Sequence, residues 1–256
     1  MPALALPLDA LVTVETVGDY LRLAVVLAAI TALAALVSHR AGLGYSRAQV
    51  VAAVRASVQL GLVGTLISAV LGSWPLTGAF AALMVTVASV TGGRRVAPGG
   101  AWWWAFAPVS LGALPVAAAL LGTGLVPLQP VSTVPVVGIL VGGAMTATTL
   151  AGRRIADALT KRSGEVEAAL SIGLSDRQAR LLVARDDAGL ALVPGLDQTR
   201  TVGLVTLPGA FVGMLLGGAT PAQAAAVQLV VLVSLLLVAA VASALTLELV
   251  ARDRLR

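Results

Sequence analysis

Apolar residues in this chain come in long unbroken runs, without the three-and-four spacing that marks a helix half exposed to water. About 20 apolar residues cross a bilayer core as helix. Seven segments approach that length: Leu21 to Val37, Val50 to Leu71, Leu76 to Val90, Trp102 to Leu121, Val131 to Leu150, Val202 to Gly218 and Ala222 to Leu247. Pro75, Pro130 and Pro221 stand at or just before predicted helix starts, where a missing N–H costs least. The pattern predicts an all-α, polytopic integral membrane protein of about seven transmembrane helices, with residues 1–256 forming one transmembrane domain.

The polar segments between the runs sort by charge. Of 29 Asp, Glu, Lys and Arg residues, 15 lie between Arg153 and Arg200, so that one internal loop carries half the charge. Arg40, Arg47, Arg94, Arg95, that loop, and Arg252, Arg254 and Arg256 fall on one face and hold 15 of the 17 basic residues. The opposite face has Asp9, Glu15 and Asp19 in the N-terminal tail, followed by uncharged turns. The positive-inside rule makes the basic face cytoplasmic, with the N-terminus outside and the C-terminus inside a cell inner (plasma) membrane. Topology therefore accounts for the net charge of +5, and no nucleic-acid partner is needed. No basic residue precedes Arg22, so a cleaved signal peptide is not expected. Trp102 to Trp104 mark the inner boundary and Trp74 the outer one.

Composition then removes whole classes of chemistry. With 58% hydrophobic and 11% charged residues the chain is too apolar for a soluble domain. It has no Cys and one His, which excludes disulfides, thiolate ligands and His clusters. The single lysine, Lys161, follows Thr160, so no phosphate-binding Gly-Lys-Ser/Thr loop exists and any ATP must be bound by a partner. His39, alone beside Arg40, reads as an interfacial side chain, and Met84, Met145 and Met214 as apolar filler. The chain carries no enzyme site and no cofactor of its own, and metal ligands are not identifiable.

Polar or helix-breaking residues inside the runs are the transport-pathway candidates. Arg55 and Gln59 are four apart and share a helix face; a mid-span charge is a functional hypothesis, with snorkelling to the cytoplasm as the bland alternative. Gln228 and Thr146, Thr148 and Thr149 read as interhelical hydrogen-bonding groups, with Gln228 and Met145 kept as pathway candidates. Gly138 and Gly142, and Gly209, Gly213 and Gly217, form small-residue stripes that suit tight packing within the subunit, a subunit interface or a moving surface. Pro208 with Gly209 predicts a local break that is tolerable only beside protein or water. Asp197 reads either as the N-cap of the sixth span or as a hinge contact, and Gly203 as a second hinge.

Inside the charged loop, Val166, Ala169 and Leu170 share one face of a short helix, with Glu165 and Glu167 near its N-terminal end and Gly173 suited to cap its C-terminus. Ser175 and Gln178 form a capping-box pattern for a second helix reaching toward Ala188. A helical hairpin on the cytoplasmic face follows.

Glu167-Ala168-Ala169 followed by three residues and then Gly173 resembles the coupling motif of importer-type ABC permeases, although the Ile-x-Leu-Pro continuation of that motif is replaced here by Val183-Ala184-Arg185-Asp186. A wider resemblance covers roughly Leu21 to Leu247. Gly173-Leu174-Ser175, Ala191-Leu192-Val193-Pro194, Asp197 and Thr201-Val202-Gly203-Leu204-Val205-Thr206-Leu207-Pro208-Gly209 are similar to the signature run of the FetB-type ABC transporter permease family. Arg55-Ala56, Gln59-Leu60, Gly138, Gly142, Ala144-Met145 and Gln228 match it as well. That family includes bacterial iron or metal export permeases and plant aluminium-tolerance relatives. Where members commonly carry Asn, this chain has Gly143 and Thr91-Gly92-Gly93, and it contains no Asn.

The resemblance implies a membrane-spanning permease that exports a metal ion such as iron, as a homodimer of permease subunits embedded in membrane lipid. A separate ABC ATP-binding subunit would dock on the 153–200 coupling loop, with Glu167, Ala168, Ala169, Gly173 and Ser175 as ATPase-coupling residues. Two readings compete: a stand-alone ion-coupled secondary transporter, for which the chain lacks internal repeats, and a non-transporting scaffold that recruits a soluble partner through the loop.

Overall fold

The computed structural model describes residues 16–255, so the predicted tail charges Asp9 and Glu15, and Arg256, lie outside the described residues. The regular elements of the described chain are helices, with one isolated bridge between Val202 and Thr206. Ten α-helices follow in order: α1 (Val17–Arg40), α2 (Ser46–Leu71), α3 (Trp74–Val96), α4 (Phe106–Gly122), α5 (Pro130–Lys161), α6 (Ser163–Ser171), α7 (Asp176–Gly189), α8 (Val193–Thr201), α9 (Gly209–Leu216) and α10 (Pro221–Ala251). Six of them, α1 to α5 and α10, are long and apolar enough to cross a membrane; α4 does so together with the short 3-10 turn Trp102–Ala105 before it.

The described chain divides into two units. The first holds α1 and most of α2. Thr16 and Asp19 close a capping box over the start of α1. At its end Gly42, at φ +65°, lets its own N–H and that of Leu43 satisfy the carbonyls of His39 and Ser38. Arg55 and Gln59 lie on α2, both exposed.

The second unit is a bundle of α3, α4, α5 and α10 whose register is set by glycines. On the α3–α5 seam, Cβ atoms built on Gly138, Gly92 and Gly152 would meet Met84, Met145 and Val96 respectively. Positions rising together on both helices make α3 and α5 parallel. Gly112 of α4 similarly lets in the Val238 carbonyl and the Cβ atoms of Ala242 and Ala144. Small residues permit this approach where lipid offers no hydrophobic drive for association.

Two apolar clusters stack along the bundle. One joins Val109 and Ala113 of α4, Leu140 and Ala144 of α5, and Val238 and Ala242 of α10. The other joins Ala151, Ile155 and Leu159 of α5 to Val183 and Ala184 of α7 and to Val250 and Leu255. Low numbers on α5 thus meet low numbers on α10, and high meet high. α5 and α10 run in the same direction and end at the same basic face. α4, whose start at Ala105 joins the second cluster, runs against them.

Two boundaries differ from the sequence expectation. α5 does not end at Leu150 but continues to Lys161, because Ala151, Ile155, Ala158 and Leu159 repeat at helical spacing and are buried. The charged loop therefore begins as a continuation of a membrane helix. The sixth apolar run, Val202 to Gly218, is no continuous helix: it is a turn followed by the eight-residue α9. At Gly203, φ +83° closes that turn, with the Gly203 N–H donating to the Thr206 carbonyl at 2.9 Å. Pro208, without an N–H, stands immediately before α9.

Candidate functional site

The charged loop folds as a hairpin fastened to two long helices. α6 ends in a six-residue αL cap: Gly173, at φ +94°, donates to the Leu170 carbonyl at 3.0 Å, and Leu174 donates to Ala169 at 3.2 Å. Two residues later the Ser175 hydroxyl accepts from the Gln178 N–H, and Gln178 Oε1 accepts from the Ser175 N–H at 3.0 Å. One helix is closed and the next opened within five residues, which fixes the angle of the hairpin.

The inner face of α7 is small. Ala179, Val183, Ala184 and Ala188 are all buried, the last three in one cluster with residues of α5 and α10. The Arg162 guanidinium, at the start of α6, donates to the Val183 carbonyl and to Asp187, tying the hairpin's base together. Arg177 donates through Nε and Nη2 to both oxygens of Glu248 at 2.7 and 2.8 Å, and Arg180 reaches Asp253 at 3.0 Å. The bond to Glu248 holds the Arg177 guanidinium above its ordinary pKa. Asp253 carries this contact from a left-handed backbone, φ 60°, that glycine would adopt more cheaply. The hairpin's other side is exposed: Ile172, at the tip, is 77% exposed and Leu182, midway along α7, 66%.

From the hairpin the chain turns back along the bundle. α8 packs on α10, with a Cβ on Gly195 reaching Leu236 at 3.7 Å. Between α8, α5 and α10 lies a cavity of about 250 Å3, lined by Pro194, Gly195 and Gln198 of α8, Gly142 and Thr146 of α5, and Leu235 of α10, among others. The Thr146 hydroxyl donates to the Gly142 carbonyl at 2.9 Å, which leaves its oxygen free to accept. The cavity carries no charged side chain. Its polar groups are an amide and a hydroxyl, and it sits immediately before the break at Val202 to Pro208.

The predicted residues distribute as follows. Glu167 and Ala168 are exposed on α6, Ala169 is buried beneath it, and Gly173 and Ser175 form the turn, so the five coupling candidates share one hairpin. Gly203, Pro208 and Gly209 share the broken segment. Asp197 is not an N-cap: it lies inside α8 and pairs with Arg200 at 3.7 Å, because α8 begins at Val193-Pro194, where proline fits the first turn. Met145 fills the α3–α5 seam against Gly92. Gln228 is buried on α10, and its Oε1 has no hydrogen-bond partner among the described residues. Among the described residues nothing lies within 4 Å of where Cβ atoms on Gly209 and Gly213 would stand. Among the described residues no three His, Cys, Asp or Glu side chains gather as a metal site.

Sequence reasoning did not find Gln198, Arg177 or Glu248. The two members of the Arg177–Glu248 pair stand 71 positions apart, and no local pattern joins them. Gln198 lies in a charged stretch where no local pattern marks a cavity-lining residue.

Comparison with known proteins bears on the whole described chain. The model of the family described as "Uncharacterised protein family (UPF0014)" matches residues 20–255. The rice UPF0014 membrane protein STAR2 (Oryza sativa subsp. japonica) is 34% identical over 85% of this chain and 78% of its own. Protein ALUMINUM SENSITIVE 3 of Arabidopsis thaliana is 31% identical over 84% and 79%. "Probable iron export permease protein FetB" of Escherichia coli (strain K12) is 31% identical over 51% of each chain. No solved structure matches.

Proposed function

The chain belongs to the UPF0014 family of membrane proteins, and from that premise we propose that it is the membrane-spanning permease subunit of an ABC transporter, driven by a separate ATP-binding subunit. The observation that carries the reading is the α6–α7 hairpin: a capped, rigid element with an apolar tip, fastened by Arg162, Arg177 and Arg180 to the ends of two long helices. A solvated linker would need neither the caps nor the struts. A partner that pushes the tip moves α5 and α10 with it.

Seven crossings belong to this reading. α5 and α10 both end at the basic face, so the chain between them has to return across the membrane. The returning segment is α8, the turn at Gly203 and α9. Its two helices span about 13 and 12 Å at 1.5 Å per residue, against a core of about 30 Å. Discontinuous helices whose freed backbone groups face a cavity are how transporters build sites near the midplane. Arg94, Arg95, Arg153 and Arg252 then lie in the cytoplasm, with the N-terminus outside. Two permeases with two ATPases complete the assembly.

The cargo we assign is a metal ion such as iron, as the name of the Escherichia coli relative indicates for that protein. Neutral oxygens such as Gln198 Oε1 and Thr146 Oγ1 would meet it, so the ion would keep much of its own hydration or chelate shell. The test is reconstitution in vesicles with the cognate ATP-binding subunit. ATP-dependent movement of iron across the vesicle wall supports the reading; ATP-independent movement, or none with a complex that hydrolyses ATP, contradicts it.

A further inference from the structure

We propose that the cytoplasmic ends of α3 and α5 form a binding site for the phosphodiester headgroup of an anionic phospholipid. Arg94 and Arg95 occupy the last turn of α3. Arg153, from the parallel helix α5, lays its Nε 3.5 Å from the Arg95 carbonyl, which brings a third guanidinium to the same corner. None of the three has a carboxylate within 4 Å among the described residues, whereas Arg162, Arg177, Arg180, Arg200 and Arg252 each do. Asp157, one turn beyond Arg153, makes no ion pair with it.

Three like charges held together without a counter-charge repel one another, and the fold spends structure on keeping them there. Gly93 has no side chain because the Trp102 backbone packs on it, 2.2 Å from where a Cβ would stand. That contact sets Trp102 beneath Arg94, whose Cζ lies 5.4 Å from the ring centroid. Trp103 stands edge-on to Trp102 at 6.1 Å and is 56% exposed. Tryptophans of this kind sit at headgroup depth, and guanidinium groups take phosphate oxygens in pairs. The ligand that brings a phosphodiester to that depth is a lipid of the cytoplasmic leaflet, which is negatively charged.

The test titrates the full chain in zwitterionic nanodiscs with phosphatidylglycerol, with phosphatidylcholine and with inorganic phosphate, following tryptophan fluorescence and lipid retention by native mass spectrometry. Phosphatidylglycerol alone should bind saturably. Arg95→Gln with Arg153→Gln should weaken that binding roughly thirtyfold, from about fivefold per arginine, while Arg185→Gln on the outer side of the hairpin leaves it unchanged. If the double variant does not fold, Arg153→Lys against Arg153→Gln decides, since only the first keeps the charge. Equal binding of phosphatidylglycerol by wild type and the glutamine variants overturns the site, and so does competition by inorganic phosphate at comparable concentration, which would make the ligand a soluble phosphate.

Discussion

Arg177, in the first turn of α7, grips both carboxylate oxygens of Glu248 in the last turn of α10, at 2.7 and 2.8 Å. This is the bidentate form of an arginine–carboxylate pair, and it crosses from the α6–α7 hairpin to a long apolar helix. Both side chains are partly exposed, so solvent screening should keep its effect on stability small. Its effect on coupling should be larger. Arg177→Ala is expected to shift the thermal midpoint little while lowering ATP-driven transport per ATP hydrolysed, and the swap Arg177→Glu with Glu248→Arg should restore part of it. Unchanged coupling in Arg177→Ala would remove the strut from the mechanism.

Gly173 is required by its backbone and not by space, since nothing lies within 4 Å of where its Cβ would be. Gly173→Ala should cost about 1 kcal/mol through the left-handed φ alone, and Gly173→Asn less. Gly173→Pro should do more, because it also deletes the N–H given to Leu170. Detergent thermal melts order these three, and partner binding should fall in the same order.

Gly93 presents the opposite case. A methyl there meets the Trp102 carbonyl, which is backbone and cannot rotate away, so Gly93→Ala is expected to destabilise by about 1–3 kcal/mol. Gly78→Ala on the same helix points into open space and should be neutral. Equal melting of the two variants would contradict the packing of the Trp102 turn on α3.

Much of this arrangement could be read from residues in sequence. The runs of apolar residues located the six long helices, and the Gly173 and Ser175–Gln178 signals located both ends of the hairpin turn, because each acts through neighbours within a few positions. Composition, however, reports the medium around a segment and not its conformation. Val202 to Gly218 is apolar enough for a membrane, yet Gly203 and Pro208 break its helix. Conversely, α5 extends past Arg153 because its buried face of Ala151, Ile155 and Leu159 depends on α7 and α10, which arrive from later in the chain. The cavity at Gln198 and Thr146 and the Arg177–Glu248 pair are tertiary in the same sense.

The cavity itself can be probed directly, because the chain has no cysteine of its own. Single variants Thr146→Cys and Gln198→Cys should react with a small membrane-impermeant thiol reagent, and their rates should change when a non-hydrolysable ATP analogue is bound to the partner. Leu140→Cys, 1% exposed on α5, should stay unreactive. Silent cysteines at both cavity positions would mean that the space is closed to water.

The central claim is that the exposed tip of the α6–α7 hairpin is where an ATP-binding partner takes hold. Ile172, 77% exposed at that tip, is the residue on which to test it. Binding of the purified ATP-binding subunit to nanodisc-embedded wild type, to Ile172→Asp and to Leu128→Asp, an exposed substitution between α4 and α5, should be compared by interferometry. The account predicts that Ile172→Asp loses partner binding by at least tenfold, or about 1.4 kcal/mol, while Leu128→Asp binds as wild type does. Equal affinity for all three would contradict it.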